Sequence, residues 1–311
     1  VGAATQSGSV TEVWALDGAT GEIQWSRAQR GADRGVVPMG DRAAFIQAPD
    51  DRPLTVATVD LHDGAVAACA RLGEATSVFS DRTTVSPVGD DAVVVSQTLP
   101  GDRQLLSLLD LGADTPRWQR DLTPPEAASD LWSAGEVVVA NVTPGDSFRV
   151  WEAAVEQDRY QPEQLRLRAY ALADGAPAWE YAPDAAGGDP YVPQIVATTE
   201  EAVTILAMRL HQSDHTLEIQ LVVLDAATGQ PRWAQELPPA SASRLPEARQ
   251  WGDTVVAYVP GPDGPELLAY DSATGQDRWR IEAPVGKLRS SAVTHTGTVL
   301  PPTGGGGARL G

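Results

Sequence analysis

The residues with the clearest chemical potential in this chain are its few histidines, its paired acids and its single thiol. His211 and His215, in His-Gln-Ser-Asp-His, have the spacing that brings two imidazoles together on one face of a helix. Two such groups would begin a zinc site, which needs at least one or two further ligands. Only four histidines occur in the whole chain, and this pair lies between the strand-like runs Val203–Met208 and Leu217–Leu224. That context places the pair at a solvated hairpin tip rather than on a helix. His62 and Asp63 read as turn residues in the same way. Asp50-Asp51 and Asp90-Asp91 could in principle supply a proton donor and acceptor. Both pairs fall between β-rich runs, where Asp is a turn former, and two acids on a loop are not an acid–base pair without the right separation. Cys69 sits in Ala-Ala-Cys-Ala-Arg, an apolar setting that suits a buried structural thiol better than a nucleophile. Asn141-Val142-Thr143 fits a glycosylation sequon, a pattern common by chance. The glycines of 303–307 read as a flexible tail and not as a phosphate cradle. These residues assign no catalytic, cofactor-binding or metal-binding position.

One further segment offers recognition rather than catalysis. Residues 147–164 carry Trp151, Arg159 and Tyr160 among mixed charges, between two strand-like runs. Insertions in repeat folds map to loops, often on the binding face, and aromatic groups with Arg are what interface hot spots use. Trp151, Arg159 and Tyr160 are therefore the candidate interaction residues, against the plainer reading of a hairpin extension packed on its own sheet.

The elements that must position all of these come from a repeat. Leu224-Asp225-Ala226-Ala227-Thr228-Gly229-Gln230-Pro231-Arg232-Trp233 recurs almost unchanged as Tyr270-Asp271-Ser272-Ala273-Thr274-Gly275-Gln276-Asp277-Arg278-Trp279. A third copy has Asp17, Gly21 and Trp25 at the same spacing, with Gly four and Trp eight residues after Asp. Weaker copies keep parts of it: Asp110 and Trp118, Gly175 and Trp179 with Ala171 in place of Asp, and Asp60 and Gly64 followed by Ala68 and Cys69 where Trp would stand. Markers at 17, 60, 110, 171, 225 and 271 are separated by 43, 50, 61, 54 and 46 residues. A period of about 40–50 residues is that of four-stranded propeller blades.

Local chemistry agrees. Apolar, β-branched runs precede the markers (Val13–Leu16, Leu105–Leu109, Leu217–Leu224, Leu267–Tyr270), and earlier ones precede those (Val36–Ile46, Ala92–Ser96, Val137–Val142, Val203–Met208, Thr254–Val259). Gly, Pro and Asp clusters such as 260–265 and 144–147 punctuate them as hairpins. The marker Asp can accept backbone N–H bonds in an Asx-type turn, Gly supplies a positive φ, and Trp suits the gap between adjacent blades. No 3.6-residue apolar stripe follows the copies, so helix caps are a poor alternative. Trp132 and Trp251 precede blade-opening strands and read as core. The fold class is all-β: a propeller of four-stranded antiparallel blades, seven in number, with six and eight also compatible with the intervals. The segment Leu288–Pro302 has the look of the opening of a further blade.

Ala-Leu-Asp-Gly-Ala-Thr-Gly-Glu-Ile-Gln-Trp and its two close copies resemble the repeat of the pyrroloquinoline-quinone-like β-propellers. That group includes quinoprotein dehydrogenases and the propeller lipoprotein of the bacterial outer-membrane assembly machinery. The resemblance runs from about residue 13 to about residue 300. It is specific for fold and poor at specifying activity. It implies Trp residues that dock one blade on the next, and a location outside the cytoplasmic membrane. For a dehydrogenase it further implies a vicinal cysteine pair beside the cofactor and carboxylate and amide ligands for calcium. The lone Cys69 rules out the pair, and no position can be matched to the calcium ligands. No cofactor is therefore expected, with pyrroloquinoline quinone and calcium as the dissenting alternative.

Composition narrows the remainder. The chain has 311 residues, a formal charge of −19, and only one Lys among 23 basic residues. The charge argues against nucleic acid and anionic membrane as partners. The Arg bias suits a GC-rich source such as an actinobacterium. One cysteine permits no internal disulfide, and no apolar run reaches the length of a membrane span. No linker divides the chain, so it reads as one propeller domain over 1–311, monomeric, possessing no segment that crosses a membrane. The expected role is a non-catalytic scaffold that binds a protein partner at the cell envelope. A quinone-dependent dehydrogenase and a ligand-sensing ectodomain are the alternatives.

Overall fold

A computed structural model describes residues 2–7, 10–17, 20–30, 36–47, 55–72, 83–99, 103–113, 115–122, 126–144, 166–183, 191–211, 216–241, 245–261, 264–282, 292–293 and 299–300. The described residues form seven antiparallel sheets, each built from strands consecutive in sequence. Sheet I holds β1 (Gly2–Ser7), β2 (Val10–Leu16) and β3 (Ile23–Arg30). Sheet II holds β4 (Val36–Met39), β5 (Arg42–Gln47), β6 (Thr55–Asp60) and β7 (Val66–Arg71). Sheet III holds β8 (Thr84–Val88), β9 (Ala92–Leu99), β10 (Arg103–Asp110) and β11 (Trp118–Leu122). Sheet IV holds β12 (Glu126–Ala134), β13 (Val137–Pro144), β14 (Arg166–Ala171) and β15 (Pro177–Tyr181). Sheet V holds β16 (Val192–Thr198), β17 (Ala202–His211), β18 (Thr216–Asp225) and β19 (Pro231–Ser241). Sheet VI holds β20 (Glu247–Trp251), β21 (Thr254–Gly261), β22 (Gly264–Asp271) and β23 (Asp277–Glu282). Sheet VII holds β24 (Ala292–Val293) and β25 (Val299–Leu300), inside the segment expected to open a further blade.

The third strand of each unit shows why the apolar runs are nearly continuous. Successive side chains on a strand point to opposite faces. On β18, Leu217, Ile219 and Leu221 pack with Ala248, Val255 and Val259 of sheet VI, whereas Val222 and Leu224 pack with Val137 and Val139 of sheet IV. Both faces of the sheet are therefore apolar because both are covered. Similar clusters join sheet II to III and sheet III to IV. Each buried aliphatic side chain contributes roughly 1.5–3 kcal/mol, so most of the stability lies between the sheets.

The meander also sorts the connections. Turns from first to second and from third to fourth strand share one end of the wheel; the other connections share the opposite end. The run Val36–Ile46 is thus two strands, split by the Gly40-Asp41 turn. Trp132 lies within β12 and Trp251 ends β20, so both belong to innermost strands and do not precede them. Among the described residues no helix is long and apolar enough to cross a membrane.

Candidate functional site

Each marker turn is built by its own side chains. Asp225 Oδ1 accepts from the Ala227 and Thr228 N–H groups at 3.1 and 3.0 Å and from Thr228 Oγ1 at 2.9 Å. Asp271 does the same with Ala273 and Thr274, and Asp17 with Thr20. The other carboxylate oxygen faces the Arg seven residues on: Arg232 to Asp225 at 2.8 Å and Arg278 to Asp271 at 2.7 Å. Arg278 and Thr274 hold the Asp271 carboxyl down at about 2, and Arg232 and Thr228 lower Asp225 likewise. The arginine's role was invisible in the sequence, although Arg precedes Trp in three copies.

The Trp then joins one sheet to the next. Trp25 Nε1 donates to the Leu61 carbonyl at 3.0 Å, Trp118 to Leu172 at 2.9 Å, Trp179 to Ala226 at 2.8 Å and Trp233 to Ser272 at 2.9 Å. The acceptor is always the residue after the next marker. That same residue donates its N–H to the first turn of its own sheet, as Ala226 does to Glu201 and Ser272 to Asp253. Each indole also lies flat on the marker glycine of the next sheet, Trp179 on Gly229 and Trp233 on Gly275. Arg120 and Gln235 add side-chain bonds to the Gly175 and Gly275 carbonyls.

Sheets II and III lack this joint. Thr58 pairs with Ala68 as Ala269 pairs with Trp279, so Ala68, and not Cys69, stands in the place of the indole. The Cys69 side chain lies outside the described residues. Trp279 occupies the matching register but is 41% exposed, and Gly21 has no atom over it within 4 Å. Asp17, Gly21, Trp25, Trp118, Gly175, Trp179, Asp225, Gly229, Trp233, Asp271 and Gly275 are thus turn and joint residues in the described structure, whereas Trp279 keeps the register without making the joint.

Residues 163–309 match the family model described as outer membrane protein assembly factor BamB. Over that stretch the repeat resembles that of the pyrroloquinoline-quinone-like β-propellers. An uncharacterized protein from Listeria monocytogenes EGD-e superposes with a TM-score of 0.54 at 13% identity, over 89% of this chain and 78% of that one. The acylaminoacyl peptidase of Pyrococcus horikoshii gives 0.54 at 11% identity over 91% of this chain, which spans 43% of the peptidase. BamB from Moraxella catarrhalis gives 0.44 at 18% identity, over 90% of this chain and 75% of that one. No curated protein sequence matches significantly. At these identities the likeness is one of fold.

Two places in the propeller gather polar groups away from the joints. The first is a cavity of about 840 Å³ lined from five innermost strands: Val37 and Pro38 of β4, Thr84, Val85, Ser86 and Pro87 of β8, Asp130 to Ser133 of β12, Thr198 of β16 and Arg249 of β20. That five innermost strands meet at one cavity is the radial arrangement of a wheel.

The second is a cluster on sheet V near the loop end. Tyr191, 2% exposed, donates its hydroxyl to Glu218 and accepts from Gln220 Nε2 at 3.1 Å. Arg209 lies over the Tyr191 ring at 4.2 Å and 3.6 Å from Glu218, and His211 Nε2 meets Glu218 Oε2 at 3.2 Å. Burial, then the Glu218 contact, pushes the Tyr191 phenol up to about 12; the bond from Tyr191 leads the lowering of the Glu218 carboxyl. A raised phenol contributes stability that is complete below the unfolded value near 10 and is lost as pH climbs to about 12. The lowered carboxyl contributes above the unfolded value and is lost on acidification through the folded one. Tyr191→Phe is expected to cost ~1–2 kcal/mol at neutral pH and to remove one late-ionising tyrosine from an ultraviolet pH titration. An unchanged titration would contradict the network.

Among the described residues no three His, Cys, Asp or Glu side chains converge on a metal site. His211 ends β17 and joins the Glu218 cluster, whereas His215 lies outside the described residues. His62 and Asp63 sit in the second marker turn, and Asp90-Asp91 in the turn between β8 and β9. Asn141 is in β13 and donates to Asp130 at 3.1 Å. Trp151, Arg159, Tyr160 and Asp50-Asp51 lie outside the described residues.

Proposed function

We propose that this chain is a non-catalytic propeller of the cell envelope that binds a protein partner with the loop end of the wheel. The observation that carries this is how differently the two ends are used. At the marker end, turn carbonyls and carboxylates are engaged in holding sheets together, as the Asp225 and Asp271 turns show. The β13–β14 connection, whose sequence carries Trp151, Arg159 and Tyr160, leaves from the opposite end. The match of residues 163–309 to a family named for an outer-membrane assembly factor supports the same reading. A rigid frame presenting loops binds with little ordering cost.

The test is cross-linking in a solubilised bacterial envelope extract, comparing the whole chain with a version in which 147–164 is replaced by a short Gly-Ser link. One specific protein should be captured by the first and lost with the second, at unchanged thermal stability. Turnover of an alcohol with added pyrroloquinoline quinone and calcium, or a raised Tm at saturating quinone, would replace this reading with the dehydrogenase one.

A further inference from the structure

The cavity on the wheel axis carries more than packing explains. Asp130 has a φ of +49°, the only non-glycine residue among those described with a positive φ. Asp tolerates this conformation better than most residues, yet here it also falls at a register shift in β12, between Ser129 and Trp132. Bulges of this kind re-aim a side chain, and backbone strain gathers where a ligand is held. Thr84, on the facing β8, has a buried Oγ1 that makes no hydrogen bond. Thr84 also lines the cavity, with this hydroxyl turned into the wall behind it. Arg249 makes none of the ion pairs or hydrogen bonds found among the described residues, in a chain with a net charge of −19. Trp132, half-buried, adds a flat apolar group to the same lining.

The two charges lining this cavity are of opposite sign and are not paired with each other: the only bond to Asp130 found here comes from Asn141. We propose that the cavity is a binding site for a small zwitterion of the amino-acid or short-peptide class. Asp130 takes its ammonium, Arg249 takes its carboxylate and Trp132 covers its apolar side. A volume of about 840 Å³ is in the range of sites that enclose such molecules. This site is separate from the loop end invoked for a protein partner and stands whether or not that partner exists.

The probe is triglycine, compared with N-acetyl-triglycine, which has no ammonium, and triglycine amide, which has no carboxylate. Calorimetry on the whole chain at millimolar peptide should show saturable binding of triglycine and a loss on the order of tenfold or more for each blocked form. Asp130→Asn should bind triglycine and its acetylated form equally, and Arg249→Gln should erase the preference over the amide. Such pairing of variant with ligand isolates each contact from general damage to the fold. Absence of saturable binding would overturn the proposal, as would variants that weaken blocked and free peptides alike. If a variant unfolds, the blocked peptides on the unaltered protein still decide the matter.

Discussion

Gly135→Ala should lower the stability of the protein by roughly 2–5 kcal/mol, whereas Gly252→Ala should cost only ~1–2 kcal/mol. The two glycines occupy the same turn, from first to second strand, in sheets IV and VI, with φ of +54° and +55°. Both therefore incur the same penalty for placing a methyl group on a left-handed residue. Their surroundings differ. A methyl on Gly135 would overlap the Glu200 carbonyl oxygen in the first turn of sheet V, while one on Gly252 would meet none of the described residues within 4 Å. A backbone oxygen cannot rotate away as a side chain can, so sheets IV and V would have to separate. Denaturant midpoints of the two variants, at equal m-value, read the difference directly. Equal losses would mean that the turns of adjacent sheets do not touch.

Gly229→Ala tests the indole joint in the same way. A methyl there would lie 2.5 Å from Trp179 Cε3, at a φ of +69°. The matched control is Gly21→Ala, at +74° with no neighbour within 4 Å. We expect ~1–2 kcal/mol at Gly21 and roughly 2–5 kcal/mol at Gly229. Trp179→Ala by itself should cost about 3 kcal/mol through lost burial and the lost bond to Ala226. Combined with Gly229→Ala it should cost clearly less than the two separately, because the methyl then enters the space the ring has left. Strict additivity in a double-mutant cycle would show that ring and turn are not in contact.

How much of this was legible in the sequence follows from the range of each interaction. The marker turns were readable because Asp225, Thr228 and Gly229 bond within a few residues of one another, and so was the docking role of Trp. The Arg232 and Arg278 contacts are nearly as local, but an Arg before a Trp has no distinctive pattern. The register that puts Ala68 in the indole's place needed the pairing with Thr58, which no spacing count supplies. The cavity was out of reach altogether. Val37, Thr84, Asp130, Thr198 and Arg249 come from five units spread over most of the chain and meet only once the sheets stand in a ring. The Tyr191–Glu218–His211 cluster failed for a similar reason: its members lie on three different segments of sheet V, and the sequence offered only His211.

The missing indole between sheets II and III divides the molecule unevenly. Sheets III to VI are riveted in series by Trp118, Trp179 and Trp233, and sheets I and II by Trp25, while sheets II and III meet through Met39, Ile46, Val56, Val93, Val95 and Leu109 and one exposed ion pair, Arg42 to Asp91 at 3.9 Å. Aliphatic contacts of this sort have no directional bond to break and little geometric preference to restore. Between consecutive sheets II to VI it is the boundary without an indole rivet, and amides of β6 and β9 are expected to exchange with solvent ahead of those in β18 and β22.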